Sequence, residues 1–200
     1  MEKKKITDTQ FRIATLLSTV CGLGNIKYAP GTFGSLITFP LFLLINYLIL
    51  FTGISSLTLF GLTYFAVLVV LFFAGFWSVG IYTSMNKKDD PSEVIIDEVI
   101  GQMIAYMIPT LITLYFFAVI IDVNCLSSFC SVVISLLLIL APFIFFRLFD
   151  ISKVGLVGYF DSKFHNPTGI IMDDVVAGVY AGFIVSLILI LFFISMGYFY

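Results

Sequence analysis

The stretch Tyr28–Asn86, YAPGTFGSLITFPLFLLINYLILFTGISSLTLFGLTYFAVLVVLFFAGFWSVGIYTSMN, runs without a single Asp, Glu, Lys or Arg. One bilayer crossing takes about 20 apolar residues, so this run is too long for one. It breaks at Thr52-Gly53, just ahead of Ser55-Ser56, and reads as two spans, Thr32–Phe51 and Leu57–Tyr82. Three more uncharged runs follow: Val99–Ile121, Val123–Phe146 and Val175–Tyr200. The first two of these meet at Asp122-Val123-Asn124, a short turn. Spanning β-strands would alternate apolar and polar residues over about ten positions, and these runs do not alternate. Five transmembrane helices follow, with Pro109 expected to kink the third and Pro142 the end of the fourth.

Composition agrees. Of 200 residues, 60% are apolar and 11% charged, against about 45–50% and 25% in soluble domains. A water-exposed surface cannot be built from such a chain, and no separate soluble domain fits. Residues 1–200 therefore read as one membrane-embedded, all-α domain, a polytopic integral membrane protein whose N-terminal helix, Thr7–Gly24, lies at the interface. Lys3-Lys4-Lys5 before Ile13–Leu23 imitates a signal peptide. Asp8, Gln10 and Arg12 precede that short run and Ser18, Thr19 and Gly22 interrupt it, so the helix is expected to be retained. A net charge of −2 gives no support to nucleic-acid binding. Cys21, Cys125 and Cys130 form no CxxC or zinc spacing and read as small packing residues.

The charges are few, and their placement is informative. With the N-terminus on the cytoplasmic side, an even number of crossings returns the chain to that side at Tyr82–Glu98 and again at Arg147–Asp174. Every Lys and Arg then lies on one face, as the positive-inside rule asks, and so does every acid except Asp122.

Three acidic segments meet at that face. In Asp89-Asp90-Pro91-Ser92-Glu93-Val94-Ile95-Ile96-Asp97-Glu98, Pro91 suits a first helical turn with Asp90 as its cap. Glu93, Asp97 and Gly101 would then share a face, and Asp97 and Glu98 would lie two turns in, too deep for capping to explain them. In Arg147-Leu148-Phe149-Asp150-Ile151-Ser152-Lys153, Arg147 and Asp150 are spaced to pair on a helix. The third segment carries Asp161 and the lone His165, then Asp173-Asp174 at the mouth of the last apolar run. So many carboxylates at one apolar face call for neutralising cations. Oxygen ligands without Cys or several His point to Mg²⁺ or Mn²⁺. Pro30-Gly31-Thr32-Phe33-Gly34-Ser35, before the first span, offers a helix start suited to a phosphate. The combination suggests metal-assisted chemistry on a phosphate at the membrane surface.

These same residues resemble the phosphatidylglycerophosphatase A family. The similarity rests on Pro30–Ser35, Asp90-Pro91 through Ile96-Asp97-Glu98-Val99-Ile100-Gly101, Phe146–Asp150, and Gly169-Ile170-Ile171-Met172-Asp173-Asp174-Val175-Val176-Ala177-Gly178. The pieces lie in the expected order from about residue 15 to 190. The resemblance implies a bacterial, helical, Mg²⁺-dependent enzyme of the cytoplasmic membrane, multi-pass, with its active face cytoplasmic. It also implies a phospholipid substrate, phosphatidylglycerophosphate, cleaved to phosphatidylglycerol and phosphate. Catalysis would fall to Asp97, Asp150, Asp173 and Asp174. Mg²⁺ would be held by Asp97, Glu98, Asp150, Asp173 and Asp174, and the phosphate by Thr32, Gly34, Ser35, Arg147 and Lys153. The chain departs from the family in reading Val154-Gly155-Leu156 where prolines are usual and Asn166-Pro167 where a Gly-Gly pair is usual. A small membrane transporter, or another Mg²⁺-dependent phospholipid head-group enzyme, is the alternative reading. Transporters place charge near the bilayer midplane, whereas here it gathers at one face.

Overall fold

A computed structural model describes residues 6–53, 56–87, 91–119, 128–164 and 166–197. Asp89, Asp90, the Asp122–Asn124 turn, Cys125 and His165 lie outside these. The described residues form seven α-helices and no strand: α1 (Asp8–Ser18), α2 (Pro30–Phe51), α3 (Leu57–Asn86), α4 (Ile96–Val119), α5 (Ser128–Ser152), α6 (Leu156–Lys163) and α7 (Pro167–Ser195), with a 3₁₀ turn at Leu23–Asn25. Five of them, α2 to α5 and α7, are long and apolar enough to cross a membrane. At their charged ends α4, α5 and α7 run past the uncharged stretches, because a helix continues into polar residues wherever its backbone bonds can still close, while α2 and α3 lie within Tyr28–Asn86. Pro40, Pro109 and Pro142 sit inside α2, α4 and α5, with Pro142 near the middle of its helix and not at the end where the sequence placed it.

The short α1 starts at a reciprocal cap. The Thr7 side chain accepts from the Gln10 backbone N–H, and the Gln10 side chain accepts from the Thr7 N–H. It ends at Ser18, before Val20 and Cys21 take left-handed backbone conformations. This turn leaves Cys21 exposed, contrary to the packing role expected of it, while Cys130 is buried.

The segment before α4 departs from the sequence reading. No helix begins at Pro91; α4 begins at Ile96. The Ile95 N–H donates to the Ser18 carbonyl at 2.9 Å, and a Cβ on Gly24 would stand 1.9 Å from the Glu93 carbonyl oxygen. The end of α1 and the turn after it thus hold residues 91–95 outside the helix, in a turn closed by the Val94 N–H donating to the Pro91 carbonyl at 2.9 Å. Asp97 and Glu98 consequently stand in the first turn of α4, where the helix dipole favours them, and Glu93 shares no helical face with them. For α7 the correction is the reverse. Asn166 caps the helix by accepting from the Thr168 and Gly169 N–H groups, and Pro167 fills its first position. Asp173 and Asp174 therefore sit nearly two turns inside it.

The centre of the bundle is α4. In its most apolar 18-residue window 56% of residues are buried, against 11% in α3. It crosses α7 at glycines: a Cβ on Gly178 would stand 2.2 Å from the Gly101 carbonyl oxygen, and one on Gly101 2.4 Å from that of Asp174. Only small residues let spanning helices approach so closely. Aromatic packing of Phe42, Phe60, Tyr64 and Tyr106 joins α2, α3 and α4 further along. Leu, Phe and Tyr side chains of α2, α3 and α5 stay exposed on the outer surface, as helices facing lipid require.

Candidate active site

Where the N-terminal ends of α2, α4 and α7 meet the C-terminal end of α5, they enclose a cavity of about 240 Å³. Asp97, Glu98, Asp150, Asp161, Asp173 and Asp174 line it, with Lys153 the one cation among the described lining residues. Asp97, Asp173 and Asp174 are buried. The two acidic pairs are built alike: the Glu98 N–H donates to Asp97 Oδ1 at 3.1 Å, and the Asp174 N–H to Asp173 Oδ1 at 3.0 Å. The first carboxylate of each pair is thereby fixed by its own helix backbone.

The acids divide into two groups. Asp97, Glu98 and Asp174 each offer an oxygen within 4.8 Å of the others. Glu98 Oε2 and Asp174 Oδ1 are buried with no hydrogen-bond partner. Burying anionic oxygens in this way is costly unless a cation meets them, so this trio could hold a metal ion. Its all-oxygen donor set suits a hard one.

The second group gathers on Lys153. Its ammonium lies 2.6 Å from Asp173 Oδ2, 3.3 Å from Asp161 Oδ1 and 3.4 Å from Asp150 Oδ1. Burial works against the ammonium's charge, but Asp173, Asp150 and Asp174 outweigh it and hold the group well above the ordinary lysine range. Lys153 follows the last residue of α5 at φ 50°, a left-handed conformation costly for a side chain with a Cβ. A Cβ on Gly158 would stand 2.3 Å from its carbonyl oxygen, so α6 is laid directly on this turn. Gly155, at φ 63°, starts α6. The Val154-Gly155-Leu156 departure thus builds the turn into α6, a helix the sequence reading did not anticipate, and Asn166-Pro167 builds the cap of α7.

Arg147 pairs with Asp150 at 2.6 Å, as the spacing predicted. It does not line the cavity; it lies behind it. A Cβ on Gly31 would stand 2.1 Å from Glu98 Oε1 and 3.3 Å from Arg147 Nη1. The absence of a side chain at Gly31 therefore lets Glu98 and Arg147 close on α2. Of the Pro30–Ser35 stretch, only Pro30 reaches the cavity. The Thr32 and Phe33 N–H groups donate to the Ala29 carbonyl. Gly34 packs against Ile95 and Glu98, and the fully buried Ser35 hydroxyl donates to the Gly31 carbonyl at 3.0 Å. Thr32, Gly34 and Ser35 are thus beside the site without facing into it.

Two residues here escaped the site reading. Asp161 belongs by its contact with Lys153; its segment was legible as acidic, but nothing local tied it to Lys153. Gln102 lies one turn beyond Glu98 on α4, fully buried, with neither amide atom partnered. An amide within the uncharged run Val99–Ile121 was the available signal.

Comparison with known proteins matches residues 16–189 to the family described as phosphatidylglycerophosphatase A. A protein of Bacteroides thetaiotaomicron, described as "Putative phosphatidylinositol-3-phosphatase", is 31% identical over 87% of this chain and 92% of its own. A phosphatidylglycerophosphatase A of Haemophilus influenzae is 32% identical over 85% of each chain. No solved structure matches. The aligned segments carry the acidic helix ends that form the cavity, and the chain belongs to the phosphatidylglycerophosphatase A family, making it a membrane-embedded lipid phosphatase that acts on a phosphate monoester.

Proposed function

We propose that the protein removes the terminal phosphate of phosphatidylglycerophosphate in a Mg²⁺-dependent reaction at the cytoplasmic face of a bacterial inner membrane. The observation that carries this is the convergence of Asp97, Glu98 and Asp174, two of them with unpartnered buried oxygens, beside Lys153 at one end of the bundle. Asp97, Glu98 and Asp174 would hold the ion, with Asp150 and Asp173 on its flank. When bound, a divalent cation supplies positive charge to the phosphoryl oxygens and offsets the charge that builds on them.

The remaining work falls to the chain itself. Lys153, partly exposed at the cavity wall, draws the phosphate in and shares its charge with it. Asp173 and Asp150 keep that ammonium aimed into the cavity. Arg147 neutralises Asp150 from behind, and Gly31 and Gly34 seat Glu98 by close packing. Attack on phosphorus comes from water or from one of the aspartates. The apolar outer faces of the spans leave the acyl chains in the bilayer while the head group enters between helix ends.

The Bacteroides relative supports a second reading, in which the phosphate sits on an inositol head group. Phosphate release from purified protein separates the two. Phosphatidylglycerophosphate, phosphatidylinositol 3-phosphate, phosphatidate and a soluble phosphomonoester are each assayed with Mg²⁺ or EDTA. Turnover of phosphatidylglycerophosphate above the others, lost in EDTA, is expected. Preference for the inositol lipid would replace the substrate, and undiminished activity in EDTA would remove the metal.

A further inference from the structure

Gln102 is a buried polar group that neither the cavity nor the helix packing accounts for. Its side chain is fully buried, and neither Nε2 nor Oε1 has a hydrogen-bond partner. A buried amide left unpaired is costly, and native structures keep few of them.

Its surroundings follow from the register of α2 against α4. The two helices run side by side in the same direction. A Cβ on Gly34 would stand 3.3 Å from Glu98 Cβ, and the rings of Phe42 and Tyr106 stack at 5.1 Å. These pairs are equally spaced along the two helices, so Thr38 lies level with Gln102, midway between them. Thr38 and Ser35 are both fully buried. Their hydroxyls donate to the Gly34 and Gly31 carbonyls, at 2.8 and 3.0 Å, which leaves their oxygens able to accept. On the other side, Glu98 is four residues before Gln102, one turn away on the same face. Its Oε2 is also buried without a partner. An amide donor and a carboxylate acceptor at this spacing can reach each other by side-chain rotation alone.

We propose that Gln102 is a positioning residue for Glu98: its amide donates to one lone pair of Glu98 Oε2 and so holds the carboxylate toward the ion shared with Asp97 and Asp174. Thr38 accepts the second amide hydrogen and fixes the plane of the amide. The inference rests on the metal-assisted reading of the cavity. It adds a residue that touches neither substrate nor ion and acts only through Glu98.

Mn²⁺ binding to purified full-length protein, followed by calorimetry or by the loss of the free-ion paramagnetic signal, tests it. Gln102→Met keeps the volume and removes the donor. It is expected to weaken Mn²⁺ binding by about 10- to 100-fold, the usual effect of losing an outer hydrogen bond to a ligand. The Mg²⁺ concentration needed for half-maximal phosphate release should rise by the same factor. Gln102→Asn, which keeps an amide one methylene shorter, should fall between Gln102→Met and wild type. Gln102→Met that binds Mn²⁺ as tightly as wild type, with equal or greater thermal stability, overturns the proposal and leaves the amide as a tolerated packing residue. Should Gln102→Met not fold, Asn binding as tightly as wild type overturns it equally. Wild-type protein that binds no Mn²⁺ overturns the metal reading, and this inference with it.

Discussion

The ammonium of Lys153 lies 2.6 Å from Asp173 Oδ2, joining the end of α5 to the inside of α7. Charge-assisted contacts of this length are among the stronger ones, and this one also sets where a cation faces the cavity. Lys153→Met should lower phosphate release by at least about 10-fold, mainly through KM for the lipid, with Lys153→Arg between it and wild type. A Lys153→Met protein with wild-type KM would show that the lysine only braces Asp173.

The same contact fixes a pH expectation. The folded ammonium titrates above an ordinary lysine, so its stabilising contribution is fully present below the unfolded lysine pKa and is lost only as pH rises through the higher folded value. Thermal stability and activity should therefore show no Lys153-dependent decline between about pH 7 and 9. A falling limb in that range that vanishes in Lys153→Arg would contradict this.

Asp97→Asn and Asp173→Asn keep shape and remove charge. Each should reduce Mg²⁺-dependent phosphate release by at least about 100-fold, the scale of losing several kcal/mol of charge stabilisation. Membrane insertion, measured by fractionation, should not change. Near-normal turnover in both variants would sink the site assignment.

A divalent ion that binds only the folded cavity should stabilise it by mass action. Raising free Mg²⁺ or Mn²⁺ to 100 times its dissociation constant is worth about 2.7 kcal/mol. That appears as a higher melting temperature of the detergent-solubilised protein, lost in EDTA. Asp174→Asn should abolish the increment, because Asp174 belongs to the converging trio.

Two glycine substitutions separate packing from propensity. A Cβ at Gly178 would press on the Gly101 carbonyl at 2.2 Å, whereas one at Gly61 meets nothing within 4 Å. Gly178→Ala should destabilise by about 1–3 kcal/mol and lower activity, since α4 and α7 carry the acids. Gly61→Ala should be neutral or stabilising by up to about 1 kcal/mol. Equal melting temperatures for the two would mean that the crossing tolerates separation.

The spans were legible because uncharged length and the break at Thr52-Gly53 act locally, whereas the cap at Asn166-Pro167, which starts α7 eight residues before Val175, was not read. The Arg147–Asp150 pair was legible for the same reason, being one turn apart on one helix. The start of α4 was not legible: Pro91 carries a strong local helix signal, but the bond from Ile95 to Ser18 and the close approach at Gly24 confine that segment to a single turn. The Pro30–Ser35 stretch reads as a phosphate loop from its composition, yet its glycines and Ser35 are spent on packing against α4 and on their own helix.

By itself the sequence determined a five-span helical protein with its acids gathered at one face, because apolar length and the sign of charge act residue by residue. Only the tertiary structure decided which acids converge. The glycine crossing of α4 and α7 sets the level at which Asp97, Glu98 and Asp174 meet. The left-handed turn after α5 hands Asp150, Asp161 and Asp173 to Lys153 instead. Both depend on contacts between distant segments, which no local pattern of residues encodes.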